Sequence, residues 1–186
     1  HVFEEAFYAV QKMKTFANSM GTSFFIDSCV LRNKHGREDI GYSYKIRSKR
    51  STKITVIVGT NGLPVSLIVS KSSPHDTKFV MPALNKMKLR TRKIKRLVGD
   101  KGYVSTDFKK ELKAKGIDYM YNNKSNTKRP RLFTHKQAAI MRQRNLSESY
   151  FNTISSNKRL MVRYEQKTSH FESLLYLGML KNIFDK

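Results

Sequence analysis

The chain has 186 residues, of which 37 are Lys or Arg and 14 are Asp or Glu, so its formal net charge is +23. A hydrophobic content of 39% argues against general disorder, the single cysteine (Cys29) excludes a disulfide scaffold, and no apolar run is long enough to span a bilayer. This charge in a chain of single-domain length predicts a polyanionic partner, and nucleic acid is the commonest one.

Apolar periodicity divides the chain into alternating helices and strands. Asn61-Gly62 between two apolar runs predicts a β-hairpin, and Gly21 and Gly116 end the helices that precede them. In the first half of the chain the pattern predicts a helix over residues 1–20, a strand over 23–27, a loop of mixed charge over 31–52 and hairpin strands over 54–58 and 63–69. In the second half it predicts a helix capped by Asp76 or Thr77, a strand over 94–100, a helix from Ser105 or Thr106 to 115, a strand over 117–121, a polar and basic loop over 122–136 and helices from 137 to the end. Such an order predicts a mixed sheet with helices on its faces.

Acidic residues are scarce, and two of them stand where burial would be costly. Asp27 and Asp100 each follow a run of apolar residues and precede a predicted loop. If their strands are parallel neighbours, the two carboxylates meet at one end of the sheet, where they repel each other unless a cation or a proton lies between them. Mg²⁺ prefers oxygen ligands and would make this a phosphoryl-transfer site. The alternative is that each Asp only begins a turn.

Glu148 lies in a helical pattern, opposite an apolar stripe. The stripe consists of Leu146, Tyr150, Ile154 and Met161. Periodicity alone therefore favours a solvated position for Glu148, although a third metal ligand beside the sheet is the alternative. His75-Asp76 could suggest a catalytic dyad, but sequence neighbours rarely face each other and the start of a helix is favoured.

Two basic segments are candidates for contact with DNA phosphates. The first contains five cationic side chains within nine residues: Lys45, Arg47, Lys49, Arg50 and Lys53. The second is the loop over 124–131, which contains Arg129 and Arg131. For both segments the alternative is a solvated loop that binds nothing.

Four sequence blocks, in this order, resemble the DDE transposases of bacterial insertion sequences. The blocks are Phe25-Ile26-Asp27-Ser28; the stretch from Gly41 to Pro64 that contains Ser51-Thr52-Lys53-Ile54, with Ser72-Ser73-Pro74-His75-Asp76 after it; Leu97-Val98-Gly99-Asp100-Lys101-Gly102-Tyr103, which is similar to a D-x-G-Y block; and Arg144 to Phe151 with Arg159-Leu160 and Arg163-Tyr164-Glu165, which is similar to an R-N-x-V-E-R-x-F helix. The family's V-E-R is Ser147-Glu148-Ser149 here. The resemblance runs from about residue 24 to the C-terminus.

The resemblance implies an α/β fold, namely a ribonuclease-H-like mixed five-stranded sheet with helices on both faces. Residues 1–22 would be an N-terminal helix, the remnant of the family's N-terminal region, and residues 23–186 the catalytic domain. Asp27, Asp100 and Glu148 would be the catalytic and metal-binding residues, separated by 73 and 48 residues. Two Mg²⁺ ions are expected, with Mn²⁺ as a substitute.

The implied function is a DNA transposase, a polynucleotidyl transferase with endonuclease activity that cleaves and transfers strands at transposon ends. Its partners would be double-stranded DNA, as transposon ends and target, and a second copy in a homodimer, with no membrane. Lys53, Lys101, Arg159 and Arg163 join the candidate phosphate contacts. The protein would be cytoplasmic and nucleoid-associated in a bacterium, nuclear or in a viral factory otherwise, and not secreted. The rival hypotheses are a catalytically degenerate or repurposed transposase that only binds DNA, and a basic RNA-binding protein.

Overall fold

The computed structural model describes residues 2–13, 21–87, 94–103, 106–122 and 132–184. In this part of the chain the strands are β1 (Ser23–Asn33), β2 (Gly41–Ser43), β3 (Ser48–Gly59), β4 (Pro64–Lys71), β5 (Arg96–Val98), β6 (Asp118–Met120) and β7 (Val162–Arg163). The helices are α1 (Val2–Lys12), α2 (Thr77–Lys86), α3 (Thr106–Ala114), α4 (His135–Arg142), α5 (Asn145–Ser156), α6 (Lys158–Met161) and α7 (Thr168–Phe184), and Lys101–Tyr103 form a 3₁₀ turn. Among these described helices, none is both long and apolar enough to cross a bilayer.

Strands β1 and β3 form the centre of one mixed sheet. They pair antiparallel from Phe24 opposite Gly59 to Arg32 opposite Ser51. β2 and β4 pair antiparallel with the other edge of β3, and β5 and β7 pair in parallel with the two ends of β1. β6 extends the sheet beyond β5, also in parallel. The predicted mixed sheet is confirmed, with seven strands in the described residues instead of five.

Apolar side chains cover both faces of this sheet. Phe25 of β1 packs in a core with side chains of α1, α5 and α7, whereas the next residue, Ile26, packs in a second core with side chains of α2 and α3. The two residues belong to different cores because successive side chains of a strand point to opposite faces. The prediction of helices on both faces is therefore confirmed.

The hairpin predicted at Asn61-Gly62 is also confirmed, as the connection from β3 to β4. The Asn61 side-chain oxygen accepts a hydrogen bond from Leu63 N at 3.1 Å, and Gly59 N donates to Leu63 O at 2.9 Å. Gly62 has φ = +71°, a left-handed conformation that glycine adopts without steric cost.

The loop of mixed charge predicted over residues 31–52 is wrong in part, because half of it is strand. β1 continues to Asn33, β2 follows, and β3 already begins at Ser48. The polar ends of β1 and β3 lack the apolar pattern of a strand, yet Asn33 and Thr52 are buried. Long-range pairing between the two strands, which local periodicity does not show, satisfies their backbone groups.

Candidate active site

Strands β1 and β5 bring two of the predicted acids to the same level of the sheet. The strands are parallel, with Phe25 opposite Val98, and Asp27 and Asp100 each follow these partners by two residues. Asp27 does not end its strand, as its sequence position suggested, but lies within β1 opposite Val56. The two carboxyl groups therefore start from neighbouring positions of the backbone.

Helix α5 carries the third acid of the predicted set. Its residues Tyr150 and Ile154 pack in the same core as Phe25 and Val98, which fixes the helix over this face of the sheet. Glu148 lies in the first turn of α5 with 57% of its side chain exposed. The solvated position that periodicity predicted is confirmed.

Arg144, which the sequence pattern did not indicate as a site residue, contacts two of these acids. One guanidinium nitrogen lies 3.5 Å from Asp100 Oδ1, and the other lies 3.4 Å from Glu148 Oε1. Asp100 and Glu148 are 48 residues apart in the chain, yet their carboxylates face one guanidinium group. The spacing of four residues between Arg144 and Glu148 is typical of a helical ion pair, so the sequence indicates the contact with Glu148 but not the contact with Asp100.

Two buried tyrosines hold the segments that carry the aspartates. Tyr103 Oη donates to Ser28 Oγ at 2.8 Å, and Ser28 N in turn donates to Asp27 Oδ1 at 2.8 Å. Tyr119 Oη donates to the Asp100 carbonyl oxygen at 3.0 Å. Burial raises the pKa of both phenols, so they remain protonated donors. The tyrosine of the D-x-G-Y block is thus a positioning residue for the segment around Asp27.

The charges around Asp27 show that it shares the electrostatic environment of the other acids. Burial raises the pKa of the Asp27 carboxyl above its ordinary value, and the negative charge of Glu148 adds to this rise. The hydrogen bond from Ser28 N and the positive charges of Arg144 and Lys45 act in the opposite direction. A positive charge placed beside Asp27 would therefore favour its ionised form.

The chemistry of this donor set fits Mg²⁺ or Mn²⁺, because all three side chains offer carboxylate oxygens. Within the described ranges, however, no group of three His, Cys, Asp or Glu side chains is arranged to hold a metal ion. In the arrangement seen, the cation between Asp100 and Glu148 is the Arg144 guanidinium.

Arg163 was predicted to contact phosphate, and this prediction is wrong. Its side chain is fully buried at 0% exposure. Its three guanidinium nitrogens donate to the carbonyl oxygens of Glu38, Glu165 and Gln166 and to the hydroxyls of Thr52 and Thr168. A guanidinium with this many partners connects β3, β7 and the start of α7 and offers no donor to DNA.

Lys53 was also predicted to contact phosphate, and it too is buried. Its ammonium nitrogen lies 2.5 Å from Asp76 Oδ1 and donates to the Pro74 carbonyl oxygen. Asp76 precedes helix α2 but makes no side-chain cap, because its carboxylate neutralises Lys53 instead. The pair fastens β3 to the segment before α2.

The remaining predicted DNA contacts divide into three groups. Lys45, Arg47, Lys49 and Arg50 are exposed on the turn after β2 and the first residues of β3. Arg159 is 55% exposed but lies 2.5 Å from Glu165 Oε1. Arg129 and Arg131 lie outside the described residues, as does the side chain of Lys101, whose backbone follows Asp100 in the 3₁₀ turn.

A basic cleft of about 540 Å³ lies beside the start of β3. Four of the residues that line it are cationic, namely Arg32, Lys34, Lys49 and Arg50. The sequence pattern predicts Lys49 and Arg50 as phosphate contacts but not Arg32 and Lys34, because the segment of the latter two has mixed charge. Arg32 follows Asp27 by five residues on β1, which corresponds to about 17 Å along the strand.

A family model described as the transposase DDE domain matches residues 19–175 of the chain. No curated protein sequence matches the chain.

Solved structures of transposases are similar to the chain at low sequence identity. A piggyBac transposase synaptic complex with hairpin DNA aligns with a TM-score of 0.53 and 12% identity over 95% of this chain and 50% of that chain. The catalytic domain of the Mos1 mariner transposase aligns with a TM-score of 0.48 and 9% identity over 96% of this chain and 84% of that one. The chain thus spans half the length of the piggyBac protein, and the fold is the predicted ribonuclease-H-like one.

Proposed function

The chain belongs to the transposase DDE domain family, and from that membership we propose that it cleaves DNA and joins the cut strand to target DNA by metal-dependent phosphoryl transfer. The observation that supports this most directly is the approach of Asp100 and Glu148 to one guanidinium group. Asp27 starts from the neighbouring strand at the same level of the sheet. An acidic group of this kind in a chain of net charge +23 calls for a specific chemical role.

Asp27, Asp100 and Glu148 would hold the divalent cations through their carboxylate oxygens. Two bound Mg²⁺ ions would supply Lewis-acid activation of the attacking oxygen and neutralise charge on the leaving oxygen. Water is the attacking group in cleavage, and the freed 3′-OH is the attacking group in strand transfer. In-line displacement places the attacking and leaving oxygens on opposite sides of phosphorus, so ligands from separate elements suit this reaction.

The exposed cations would hold the DNA backbone on either side of the three acids. Lys45 acts electrostatically on Asp27, and the basic cleft lies about 17 Å farther along β1. Phosphate contacts fix the position of a duplex without reading its sequence. The proposed substrates are therefore double-stranded transposon ends and target DNA, held by two copies of the chain because two ends must be brought together.

The test is strand nicking and strand transfer on DNA that contains the element's ends, in Mg²⁺ or Mn²⁺, with wild type and Asp100→Ala. We expect wild-type activity that EDTA abolishes and no activity above the EDTA background for Asp100→Ala, because one ligand is lost. Glu111→Ala is the matched control, since it removes an exposed carboxylate from helix α3 and should retain full activity. Equal activity of wild type and Asp100→Ala would contradict the proposal.

The rival is a DNA-binding protein without catalysis. It is favoured by the absence of a three-ligand metal cluster in the described residues. Calorimetric titration with Mn²⁺ distinguishes the two. The transposase should bind Mn²⁺ with an affinity that Asp100→Ala and Glu148→Ala lower, whereas the rival binds DNA equally well in EDTA and shows no such metal affinity.

A further inference from the structure

A cavity of about 420 Å³ lies between the end of helix α5, helix α6 and the last turns of helix α7. This volume is within the range of about 300–1,000 Å³ for small-ligand sites. Ser156, the last residue of α5, lines the cavity and follows Glu148 by eight residues, or about 12 Å along the helix. The cationic residues of the described lining, Lys158 and Lys181, belong to α6 and α7. We name it the lysine cavity, and it is separate from the acidic site and from the basic cleft.

A break between two helices and a close approach of a third form the lysine cavity. Helix α5 ends at Ser156, the backbone at Asn157 is extended, and the Asn157 side-chain oxygen accepts a hydrogen bond from Arg159 N at 3.1 Å at the start of α6. Gly178 of α7 also lines the cavity, and a Cβ there would stand 2.8 Å from the buried Leu160 of α6. Packing therefore sets the shape of the cavity before a ligand arrives, which lowers the entropic cost of binding.

The side chain of Asn182 lines the lysine cavity without a partner from the fold. Only 8% of this residue is exposed. Within the described part of the chain, its side-chain amide makes no hydrogen bond. Burial of an amide without a hydrogen bond costs free energy, and such a group usually serves a bound water, ion or ligand. The amide therefore indicates that the cavity accommodates a ligand with hydrogen-bonding atoms.

The charges of the lysine cavity favour an anion as that ligand. Lys158 and Lys181 are both exposed, and neither forms an ion pair with any residue that the structure describes. The described lining contains no Asp or Glu. Each ammonium group carries three N–H donors and no acceptor, and the Asn182 amide nitrogen adds two more donors. This set matches a group with a charge near −2 and several acceptor oxygens.

We propose that the lysine cavity binds a phosphate monoester, whose oxygens accept from Lys158, Lys181 and the Asn182 amide. A monoester carries a charge of about −1.5 to −2 at pH 7, which two lysines neutralise, whereas each phosphodiester within a DNA strand carries one charge. Asn182 is more than nine-tenths buried, so its ligand must enter the cavity. A terminal phosphate can do this, but a phosphate held between two neighbours of a duplex strand cannot. The ligand is either a free small molecule or the phosphorylated 5′ end of a DNA strand.

The experiment compares two probes, methyl phosphate and dimethyl phosphate, by calorimetric titration at constant ionic strength. All titrations are made in EDTA, so their outcome does not depend on the metal-dependent chemistry of the proposed function. We expect methyl phosphate to bind at least tenfold more tightly, because dimethyl phosphate has less charge and two of its oxygens are esterified. Equal affinity for the two probes, or no measurable binding of methyl phosphate, would overturn the proposal.

Matched lysine variants separate the lysine cavity from the general positive charge of the protein. Lys158→Gln and Lys181→Gln should each lower the affinity for methyl phosphate about tenfold, the effect of losing a hydrogen bond to a charged group. Lys110→Gln makes the same change at an exposed lysine outside the lining and should bind as wild type does. Asn182→Asp keeps the shape of the side chain but adds a negative charge, and it should abolish binding. Equal affinity of the Lys110 and Lys181 variants would contradict the proposal, and both positions are exposed, so both variants should fold.

A competition experiment identifies the source of the monoester. The competitors for bound methyl phosphate are two duplexes of identical sequence, one with 5′-phosphates and one with 5′-hydroxyl groups. Displacement by the phosphorylated duplex alone would support the site with a DNA end as its ligand, and displacement by neither would support it with a free small molecule. Equal displacement by both duplexes would show that phosphodiesters reach the cavity, which would overturn the preference for a monoester.

Discussion

Asp27 differs from the other two acids of the site in how much of it water reaches. The side chains of Asp100 and Glu148 are exposed, at 52% and 57%, whereas Asp27 lies within β1 and is less accessible than an exposed residue. Burial raises the pKa of its carboxyl, so the ionised form is less favourable in the folded chain than in the unfolded chain. At neutral pH the charge of Asp27 therefore lowers the free energy of unfolding.

Asp27→Asn should accordingly stabilise the metal-free protein at pH 7. The folded-state pKa is raised, so the cost is absent below the ordinary pKa of Asp, about 4, where both states bind the proton, and it is fully present above the folded-state pKa. Thermal unfolding in EDTA should show a higher Tm for the variant at pH 7, by about 2–4 °C for each kcal/mol relieved, and no difference near pH 3. A Tm gain that does not vary with pH would exclude this origin, and Glu111→Gln, at an exposed carboxylate, should show no gain.

The basic residues also show that the type of a residue does not determine its role. Lys49 and Lys53 are four residues apart in one strand, and both occur in a segment predicted to contact phosphate. Lys49 is exposed on the basic cleft, whereas Lys53 is buried against Asp76. Partners distant in sequence decide this difference, and for Arg163 those partners include Thr52, which is 111 residues away.

At the level of elements, the position of Asp100 depends on how closely β5 approaches its neighbours. Gly99 lies between the end of β5 and Asp100, where a Cβ would stand 2.5 Å from Tyr119 Oη and 2.9 Å from a methyl carbon of Ile26. Tyr119 is also the residue that donates to the Asp100 carbonyl. Glycine at this position thus allows β5, β6 and β1 to approach each other closely enough to fix the aspartate.

Gly99→Ala should therefore destabilise the protein and displace Asp100. Insertion of a methyl group into a packed site costs about 1–3 kcal/mol, which corresponds to a fall in Tm of about 2–4 °C per kcal/mol. Gly102→Ala is a matched control in the same D-x-G-Y block, because a Cβ there meets no atom within 4 Å. Thermal unfolding should show a lower Tm and titration a lower Mn²⁺ affinity for Gly99→Ala, with almost no change for Gly102→Ala. Equal decreases in the two variants would contradict this account of the end of β5.

At the scale of the whole molecule, the structure locates part of the excess of cations that gives the chain its net charge of +23. The basic cleft contains four cations, and Lys45 and Arg47 lie on the turn between β2 and β3. Two of the cations that seemed to belong to this surface, Lys53 and Arg163, serve the core instead. The electrostatic part of DNA binding should therefore come from exposed side chains such as Lys49.

The salt dependence of DNA binding tests this assignment. Each phosphate neutralised by a cation contributes about 0.9 to the slope of log K against log salt concentration, so Lys49→Ala should reduce the slope by about 0.9. Lys110→Ala, at an exposed lysine of helix α3 outside the basic cleft, should leave the slope unchanged. Fluorescence anisotropy over a salt series measures both slopes, and equal reductions would show that binding follows net charge and not the basic cleft.

Local patterns predicted much of the fold because they depend on neighbours in the chain. The hairpin at Asn61-Gly62 needs only a left-handed turn between two apolar runs, and helix α7 needs only a sustained apolar segment. The polar ends of β1 and β3 lack such a pattern, since their pairing satisfies the backbone and not the side chains. Met161 was placed in the apolar stripe with Leu146, Tyr150 and Ile154, but helix α5 ends before Asn157 and a new helix begins after it. Met161 is therefore 46% exposed.

The sequence by itself determined the family of this protein, through four recognisable blocks, and it predicted three acidic site residues and a polyanionic partner. Tertiary structure alone decided how those groups are used. It placed Asp27 and Asp100 at one level through the parallel register of β1 and β5, and it put Arg144 between Asp100 and Glu148. It also removed Lys53 and Arg163 from the surface. The physical reason is that residue type defines what a group can bind, whereas burial and long-range partners define what can reach it.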